Sequence, residues 1–236
     1  MYSKNLFSIF DAIWCKKGRG KFFIWSVVFM GIFLPADLSA DTSSERIISA
    51  WQEKYRNLST YTAQYSQRLY YEDKLKGETS GTVFFKKPHF FRWEVVKPEK
   101  QIIVGDGEII WIYFPRNKQL LKRAYSPEKS FGPFWFTSTE PINKIKQNFI
   151  ISRPFSVKTR GEKIEVLEFR PKREISDINQ INLWLEPKDF LPLRVEVFLS
   201  DGTLTRFTYE DVKTNVSLPD GLFELKPPEG IEIFGE

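Results

Sequence analysis

A regular alternation of inward and outward side chains, beginning at Thr60, is the feature that most limits how this chain can fold. On one side it places Tyr61, Ala63, Tyr65, Gln67, Leu69 and Tyr71, and on the other Thr62, Gln64, Ser66 and Arg68. A period of two indicates a half-buried β-strand. The pattern returns at Gly81–Phe85, Phe90–Val95, Gln101–Val104, Ile109–Phe114, Gln119–Lys122, Ser156–Thr159, Ile164–Arg170, Gln180–Glu186, Leu193–Ser200 and Thr203–Asp211. The sequence therefore predicts about ten or eleven strands.

Short turns separate these strands, at Lys87-Pro88, Lys97-Pro98, Gly105-Asp106-Gly107, Pro115-Arg116-Asn117 and Asp201-Gly202. Turns of this kind favour a large antiparallel sheet in meander order. Because strand twist accumulates, so wide a sheet curls and acquires a concave face. The prediction is a mainly β fold with some helix, in which a curved antiparallel sheet forms an incomplete β-barrel around an apolar cavity. The 22 Phe, 9 Tyr and 7 Trp, against 2 Met, also favour β-structure over a helical bundle.

Two segments lie outside the alternation and are expected to cover the concave face. Ser43 or Ser44 can cap a helix of about four turns, whose apolar side consists of Ile47, Ile48, Trp51, Tyr55 and Leu58. Between Tyr125 and Pro154 the alternation gives way to an apolar stretch, with a short helix predicted within Pro141–Asn148. This stretch is interpreted either as core packing, which the sequence alone favours, or as a movable lid.

The first forty residues predict an export signal, leaving a mature domain of residues 41–236. A basic stretch, Lys16–Lys21, precedes the apolar run Phe22–Leu34 and the small-residue exit Leu38-Ser39-Ala40, so cleavage is expected after Ala40. An uncleaved anchor is the alternative, but the apolar run is shorter than the roughly 20 residues that a membrane span requires. The only cysteine, Cys15, would leave with the signal, so no disulfide is expected.

The remaining composition argues against several classes of function. Of the net charge of +5, the first forty residues carry +3, so the mature domain lacks the basic footprint of a nucleic-acid-binding protein. His89 is the only histidine and is interpreted as a solvated turn residue, which excludes a multi-histidine metal site. The carboxylate pairs Glu162 with Glu165 and Glu224 with Glu229 stand in no motif. Neither an enzyme nor a cofactor is expected.

Several segments together give the chain a family resemblance, namely Gly81–Pro88, Phe91–Glu94, Gln101–Gly107 and Ile110–Pro115. The chain resembles the LolA family, periplasmic carriers of outer-membrane lipoproteins, from Leu58–Gln67 through Asp211–Asn215 to Phe223–Ile231. The resemblance implies an incomplete β-barrel with a helical lid and a cavity for lipoprotein acyl chains. It also implies a monomer in the periplasm that receives cargo from an inner-membrane lipoprotein-releasing ABC transporter. The cargo would pass to an outer-membrane acceptor that is LolB-like or of unknown identity.

The candidate cavity residues are the in-phase apolar positions Tyr65, Leu69, Val83, Phe85, Phe91, Trp93, Ile102, Val104, Ile110 and Ile112. An error of one residue in the phase assigned to a strand would place its predicted cavity residues on the other face of the sheet. Lys87 is the candidate for lid control, because the resemblance places the family's functional arginine there. A lysine lacks the planar fork with which arginine makes paired hydrogen bonds. The alternative interpretation is that Lys87 is a solvated cation beside Lys86.

Two other interpretations use the same scaffold or the same cavity. The first is a sensor, assembly or glycolipid-carrier module that does not shuttle lipoproteins. The second, a hydrolase of envelope glycan, would need a pair of acidic residues inside the cavity.

Overall fold

The computed structural model describes residues 42–125, 142–152, 155–159, 161–172, 177–226 and 229–235. The predicted export signal, its cleavage point and most of the apolar stretch between Tyr125 and Pro154 lie outside these ranges. Within them, no helix has both the length and the hydropathy needed to cross a membrane.

The predicted amphipathic helix is confirmed as α1, Thr42–Arg56. Ile48 and Trp51 are each 2% exposed and Tyr55 is 6% exposed, whereas Glu45 and Arg46 lie on the solvent side. A second helix, α2, spans Ile142–Asn148 and matches the short helix expected there. The two helices are joined at the surface by an ion pair between Glu45 and Lys146.

Thirteen strands form one sheet in the described part of the chain. They are β1 Thr60–Tyr71, β2 Lys74–Lys86, β3 Phe90–Lys97, β4 Gln101–Gly105, β5 Ile109–Phe114, β6 Gln119–Ala124, β7 Phe149–Ser152, β8 Ser156–Thr159, β9 Glu162–Pro171, β10 Ile178–Leu185, β11 Pro192–Leu199, β12 Thr203–Thr214 and β13 Glu232–Gly235. The sequence predicted most of these, but it started β2 too late, at Gly81, and missed β7 and β13 altogether.

The strand order departs from a single meander. Neighbouring strands run β13-β6-β5-β4-β3-β2-β1-β12-β11-β10-β9-β7, with β8 also paired to β9. Two antiparallel meanders, β1 to β6 and β9 to β12, are thus joined where β1 pairs with β12. Among the described residues no pairing connects the edge strands β13 and β7, so the curved sheet stays open as predicted.

The core lies between α1 and the concave face of the sheet. Trp51 of α1 packs edge-on against Phe169 of β9, with ring centroids 5.9 Å apart. The same cluster includes Trp93 of β3 and Phe207 of β12, each 3% exposed. Helix and sheet therefore share one continuous apolar layer rather than two separate cores.

A second layer, which the sequence did not predict, covers part of the convex face. We call residues 215–226 and 229–235 the strap. It contains a 3-10 turn, Asp220–Phe223, in which Phe223 is buried against Phe90 at 5.9 Å between ring centroids. Arg92 Nη1 donates a hydrogen bond to the backbone oxygen of Leu222 at 3.2 Å. The strap ends in β13, which runs parallel to β6.

Candidate functional site

Strand pairing decides which predicted cavity residues share the concave face, because side chains directly opposite each other point to the same side. Val83 pairs with Trp93, Trp93 with Ile103, and Ile103 with Ile112. By this criterion and by contact with the core, the concave set contains Tyr65, Leu69, Val83, Phe85, Phe91, Trp93, Ile110 and Ile112. The structure thus brings these predicted residues together on one surface.

Ile102 and Val104 were assigned to the wrong face. Val104 pairs with Arg92 and Trp111 on the convex side, and Ile103 takes its place on the concave side. The error has a physical cause: β4 reads Gln-Ile-Ile-Val-Gly, with adjacent apolar residues and no alternation. Apolar runs of this kind are typical of strands buried on both faces, and Val104 is indeed fully buried.

Aromatic rings fill the middle of the concave face. The indole of Trp93 meets the ring of Tyr65 edge-on, with centroids 4.5 Å apart, and that of Phe207 at 5.9 Å. Phe91 lies across the backbone at Gly105, where an added Cβ would stand 2.1 Å from the Phe91 ring. Gly105 therefore leaves the space that the Phe91 ring occupies.

Polar groups also lie within this apolar face, although the sequence analysis gave them no role. Tyr61 is fully buried, and Tyr209 is 3% exposed with its ring centroid 6.4 Å from that of Tyr61. Burial raises the pKa of both phenols, and the negative charge of Asp189 adds to the effect at Tyr61. The phenols consequently remain neutral across the physiological pH range. Gln67 and Thr205 are buried on the same face, at 4% and 0% exposure.

Lys87 holds the C-terminal end of α1. Its Nζ donates to the backbone oxygens of Tyr55 at 2.6 Å and Arg56 at 2.8 Å, and its backbone N–H donates to Ser59 at 2.9 Å. A cation at this end of a helix satisfies free carbonyls and complements the helix dipole. Partial burial lowers the pKa of Lys87. The carbonyls that it binds belong to α1, whereas the prediction had placed the lid between Tyr125 and Pro154.

Lys86, the last residue of β2, points to the opposite face of the sheet from Lys87. Its Nζ pairs with the carboxylate of Asp220 in the strap. The alternative interpretation of Lys87 as a solvated cation beside Lys86 is not what the structure shows, because Lys87 Nζ is bonded to the end of α1. Consecutive residues of a strand point to opposite sides, so one lysine reaches the covering helix and the other the strap.

Asn215, at the root of the strap, holds the same helix end from another side. Its Oδ1 accepts hydrogen bonds from the backbone N–H of Ser59 at 2.8 Å and from Ser59 Oγ at 2.9 Å. Its Nδ2 donates to the backbone oxygen of Asn57 at 3.3 Å. Asn215 has a φ of 56°, which asparagine tolerates better than most residues. No periodicity or motif in the sequence marks Asn215 for this role.

The first of the two carboxylate pairs considered for catalysis, Glu162 with Glu165, is engaged in ion pairs with lysines. Glu162 pairs with Lys188 at 3.2 Å, and Glu165 pairs with Lys163 at 2.8 Å. His89 is half-buried, with its ring centroid 6.1 Å from that of Tyr125, so the prediction of a solvated side chain is corrected. In the ranges that the structure describes, no three His, Cys, Asp or Glu side chains are grouped so as to hold a metal ion.

Comparison with known sequences connects this architecture to one family. Residues 56–226 match the family model described as outer membrane lipoprotein carrier protein LolA. An outer-membrane lipoprotein carrier protein of Azotobacter vinelandii is 30% identical over 200 residues, covering 84% of this chain and 93% of the relative. A protein of the same name from Dechloromonas aromatica is 29% identical over 184 residues, covering 77% of this chain and 84% of the relative.

Solved structures share the fold at low sequence identity. An uncharacterized conserved protein from Thermus thermophilus superposes with a TM-score of 0.56 at 14% identity, covering 83% of this chain and all of the other. The Mycobacterium tuberculosis lipoprotein LppX gives a TM-score of 0.50 at 10% identity, covering 76% and 99%. These likenesses show that the open sheet is a recurrent architecture.

Proposed function

The chain belongs to the LolA family of outer membrane lipoprotein carrier proteins, and we propose on that basis that it carries lipoprotein acyl chains from the inner to the outer membrane. The observation that carries the proposal is the concave face itself, a continuous apolar surface of an open sheet against which the amphipathic helix α1 packs. An apolar surface under a removable cover suits a ligand that must be both bound and released. Its chemistry matches acyl chains, since burial of each CH₂ contributes about 0.8 kcal/mol.

Cargo and helix compete for the same surface in this mechanism. The side chains of Ile48, Trp51 and Tyr55 occupy the concave face while α1 is closed. Acyl chains that enter replace these contacts with their own apolar area, so much of the hydrophobic gain from binding offsets the loss of helix packing. Binding is then moderate in strength, and the carrier can surrender its cargo.

Lys87 is proposed to set the balance between the closed and open forms. Its two hydrogen bonds to the end of α1 are charge-assisted, a class that contributes about 1.5 to 3 kcal/mol each when well shielded. Their loss on opening would be one cost that the cargo must overcome. Lys87 in this way serves the lid-control role that the resemblance assigned to it, acting on α1.

The route of the carrier follows from the leader and the family. We propose that residues 1–40 direct export, that residues 41–236 act as a monomer in the periplasm, and that the chain has no catalytic role. The donor would be an inner-membrane lipoprotein-releasing ABC transporter and the recipient an outer-membrane acceptor. Co-purification with the carrier would identify the transporter and the acceptor.

Binding of a fluorescent acyl probe tests the proposal. Trp93→Glu places a charge in the centre of the concave face, so probe affinity should fall at least about tenfold. Trp111→Glu, on the convex side of β5, is the matched control and should bind as the parent does. Circular dichroism of both variants establishes that they fold. Equal probe binding by the folded Trp93→Glu variant and the parent would place the ligand site elsewhere.

A further inference from the structure

We propose that a buried patch of polar side chains at one end of the concave face binds the ester carbonyls that join acyl chains to their glyceryl group. The patch, here called the hydroxyl patch, consists of Tyr65, Gln67, Thr79 and Thr205. The inference rests on the proposed function, because it gives the orientation of a cargo that the carrier must first bind.

Strand pairing brings the hydroxyl patch together on three neighbouring strands. Gln67 of β1 lies directly opposite Thr79 of β2, and Leu69 of β1 lies opposite Thr205 of β12. Tyr65 is two residues from Gln67 and therefore on the same face. Its ring packs against Trp93, so the patch borders the aromatic centre of the predicted cavity.

Two hydroxyls of the patch lack a hydrogen-bond partner among the described residues. Thr205 Oγ1 and the Tyr65 hydroxyl are both buried without one, and Thr205 has no exposed surface. The Thr79 hydroxyl, in contrast, donates to Gln67 Oε1 at 3.3 Å. The indole of Trp93 and the Thr79 hydroxyl lie near enough to Tyr65 to offset part of the rise in its pKa, but neither meets hydrogen-bond geometry with it. Buried hydroxyls without partners are costly, so they point to a ligand atom that completes them.

The chemistry of these hydroxyls selects acceptors. Thr205 and Tyr65 each offer an O–H donor, and an ester group offers only acceptor oxygens. A saturated acyl chain has no polar atom, so within the diacylglyceryl group the ester linkages are the acceptors that lie next to the acyl chains and can meet the patch. The nearest chemical alternative is a water molecule, which the experiment below separates from an ester.

The position of the patch fits this assignment. Thr205 is two residues, or about 7 Å, from the strand end where Thr203 pairs with the exposed Tyr71. In the other direction the concave face continues along β1 from Leu69 to Tyr61, a distance of about 26 Å. Ester groups held at the patch would leave the glyceryl end near the rim and direct the acyl chains over the apolar face.

A pair of synthetic ligands tests the inference with the full mature chain. One is a lipopeptide whose two acyl chains are joined to glycerol by esters, and the other is its dialkyl ether counterpart with equal chain lengths. The parent should bind the ester form about fivefold more tightly for each hydrogen bond made. Thr205→Val and Tyr65→Phe should each remove about that factor from the ester affinity and leave the ether affinity unchanged.

Matched controls use the same residue types on the convex face. The control variants are Thr208→Val and Tyr70→Phe. Thr208 is on the same strand as Thr205 but pairs with Arg194 and Ser66, and the ring of Tyr70 lies beside Arg206. Both should keep the parent's preference for the ester. Thr205→Ser retains the hydroxyl, so it should also retain the preference for the ester. This variant separates loss of the donor from a change in packing.

Each result bears on the inference in a definite way. Equal affinity of the parent for ester and ether would overturn it, assign the patch to water and leave the carrier function standing. Variants that lose affinity for both ligands equally would also overturn it, since their effect would be structural. If the parent binds neither ligand, the carrier function fails and the inference fails with it. A preference for the ester that falls by about fivefold in Thr205→Val and in Tyr65→Phe, and in none of the control variants, supports the inference.

Discussion

Replacing Lys87 with leucine should shift the carrier toward its open form. The change removes two hydrogen bonds from Lys87 Nζ to the end of α1 while keeping a side chain of similar apolar reach. Because Lys87 is only partly buried, we discount the usual value for charge-assisted bonds and expect a total of about 1 to 2 kcal/mol. A shift of that size raises the population of the open form about 5- to 30-fold.

The direction of the functional effect follows from linkage. If only the open form binds acyl chains, the apparent dissociation constant is the intrinsic one divided by the open fraction. Lys87→Leu should therefore bind an acyl probe more tightly than the parent, by up to the same factor, and release lipoprotein to acceptor membranes more slowly. Hydrogen exchange of the α1 amides should accelerate in parallel.

Lys86→Leu is the matched control, because it removes an equal charge from the neighbouring position, where the partner is Asp220 of the strap. Lys87→Arg keeps a donor and should behave as the parent. The reasoning would be refuted if α1 exchange, probe affinity and transfer were the same in the parent and in both leucine variants. Lys87 would then be an ordinary surface cation, as the sequence alone suggested.

Two further predictions concern stability. Asn215→Ala removes three hydrogen bonds that fix residues 57–59, and it should lower the free energy of unfolding by about 1 to 2 kcal/mol, measured by urea denaturation. An unchanged free energy of unfolding would show that the three bonds together contribute nothing measurable. Alkaline pH should also destabilise the protein, because burial raises the pKa of Tyr55, Tyr61, Tyr65 and Tyr209 in the folded state. The unfolded chain then releases phenol protons first, so stability is full below about pH 10 and declines above it by up to about 1.4 kcal/mol per pH unit per tyrosine. Urea midpoints that stay constant between about pH 9 and 11 would contradict this, whereas Tyr61→Phe should reduce the slope.

The sequence predicted the fold best where one face of a strand is buried and the other is wet. In β1 the alternation from Tyr61 to Gln67 matches the burial residue by residue. The same rule failed in β4, where Ile103 and Val104 are both buried and the pattern has no polar half. The strands β7 and β13 are four residues each and place apolar residues side by side, as Phe-Ile-Ile-Ser and Glu-Ile-Phe-Gly, so neither shows a period of two.

The contacts that fix the covering helix could not be predicted at all from periodicity. Asn215 bonds Ser59 across 156 positions of sequence, and nothing local to Asn215 marks that pairing. Lys87 was chosen through the family resemblance, but its acceptors were assigned to another segment. Periodicity reports which face of an element is buried, and it carries no information about which distant carbonyl a polar side chain reaches.

The distribution of these contacts indicates how the helix opens. Near its C-terminal end, α1 is held by Lys87, and the adjoining residues 57–59 are held by Asn215. Toward its N-terminal end the described polar contact is the ion pair between Glu45 and Lys146, whose side chains are 50% and 39% exposed. Exposed pairs contribute at most about 1 kcal/mol, so among the contacts of the described residues those at the C-terminal end hold the helix more firmly. We therefore expect α1 to swing about residues 57–59, which Asn215 keeps in place while the bonds from Lys87 to Tyr55 and Arg56 break last. Amides near Ile47 should then exchange before those near Tyr55. The reverse order in the exchange experiment on Lys87→Leu and its parent would contradict a hinge at this end. A hinge there keeps the helix tethered beside the strap while its apolar side leaves the concave face, so the surface that cargo needs is exposed without detaching its cover.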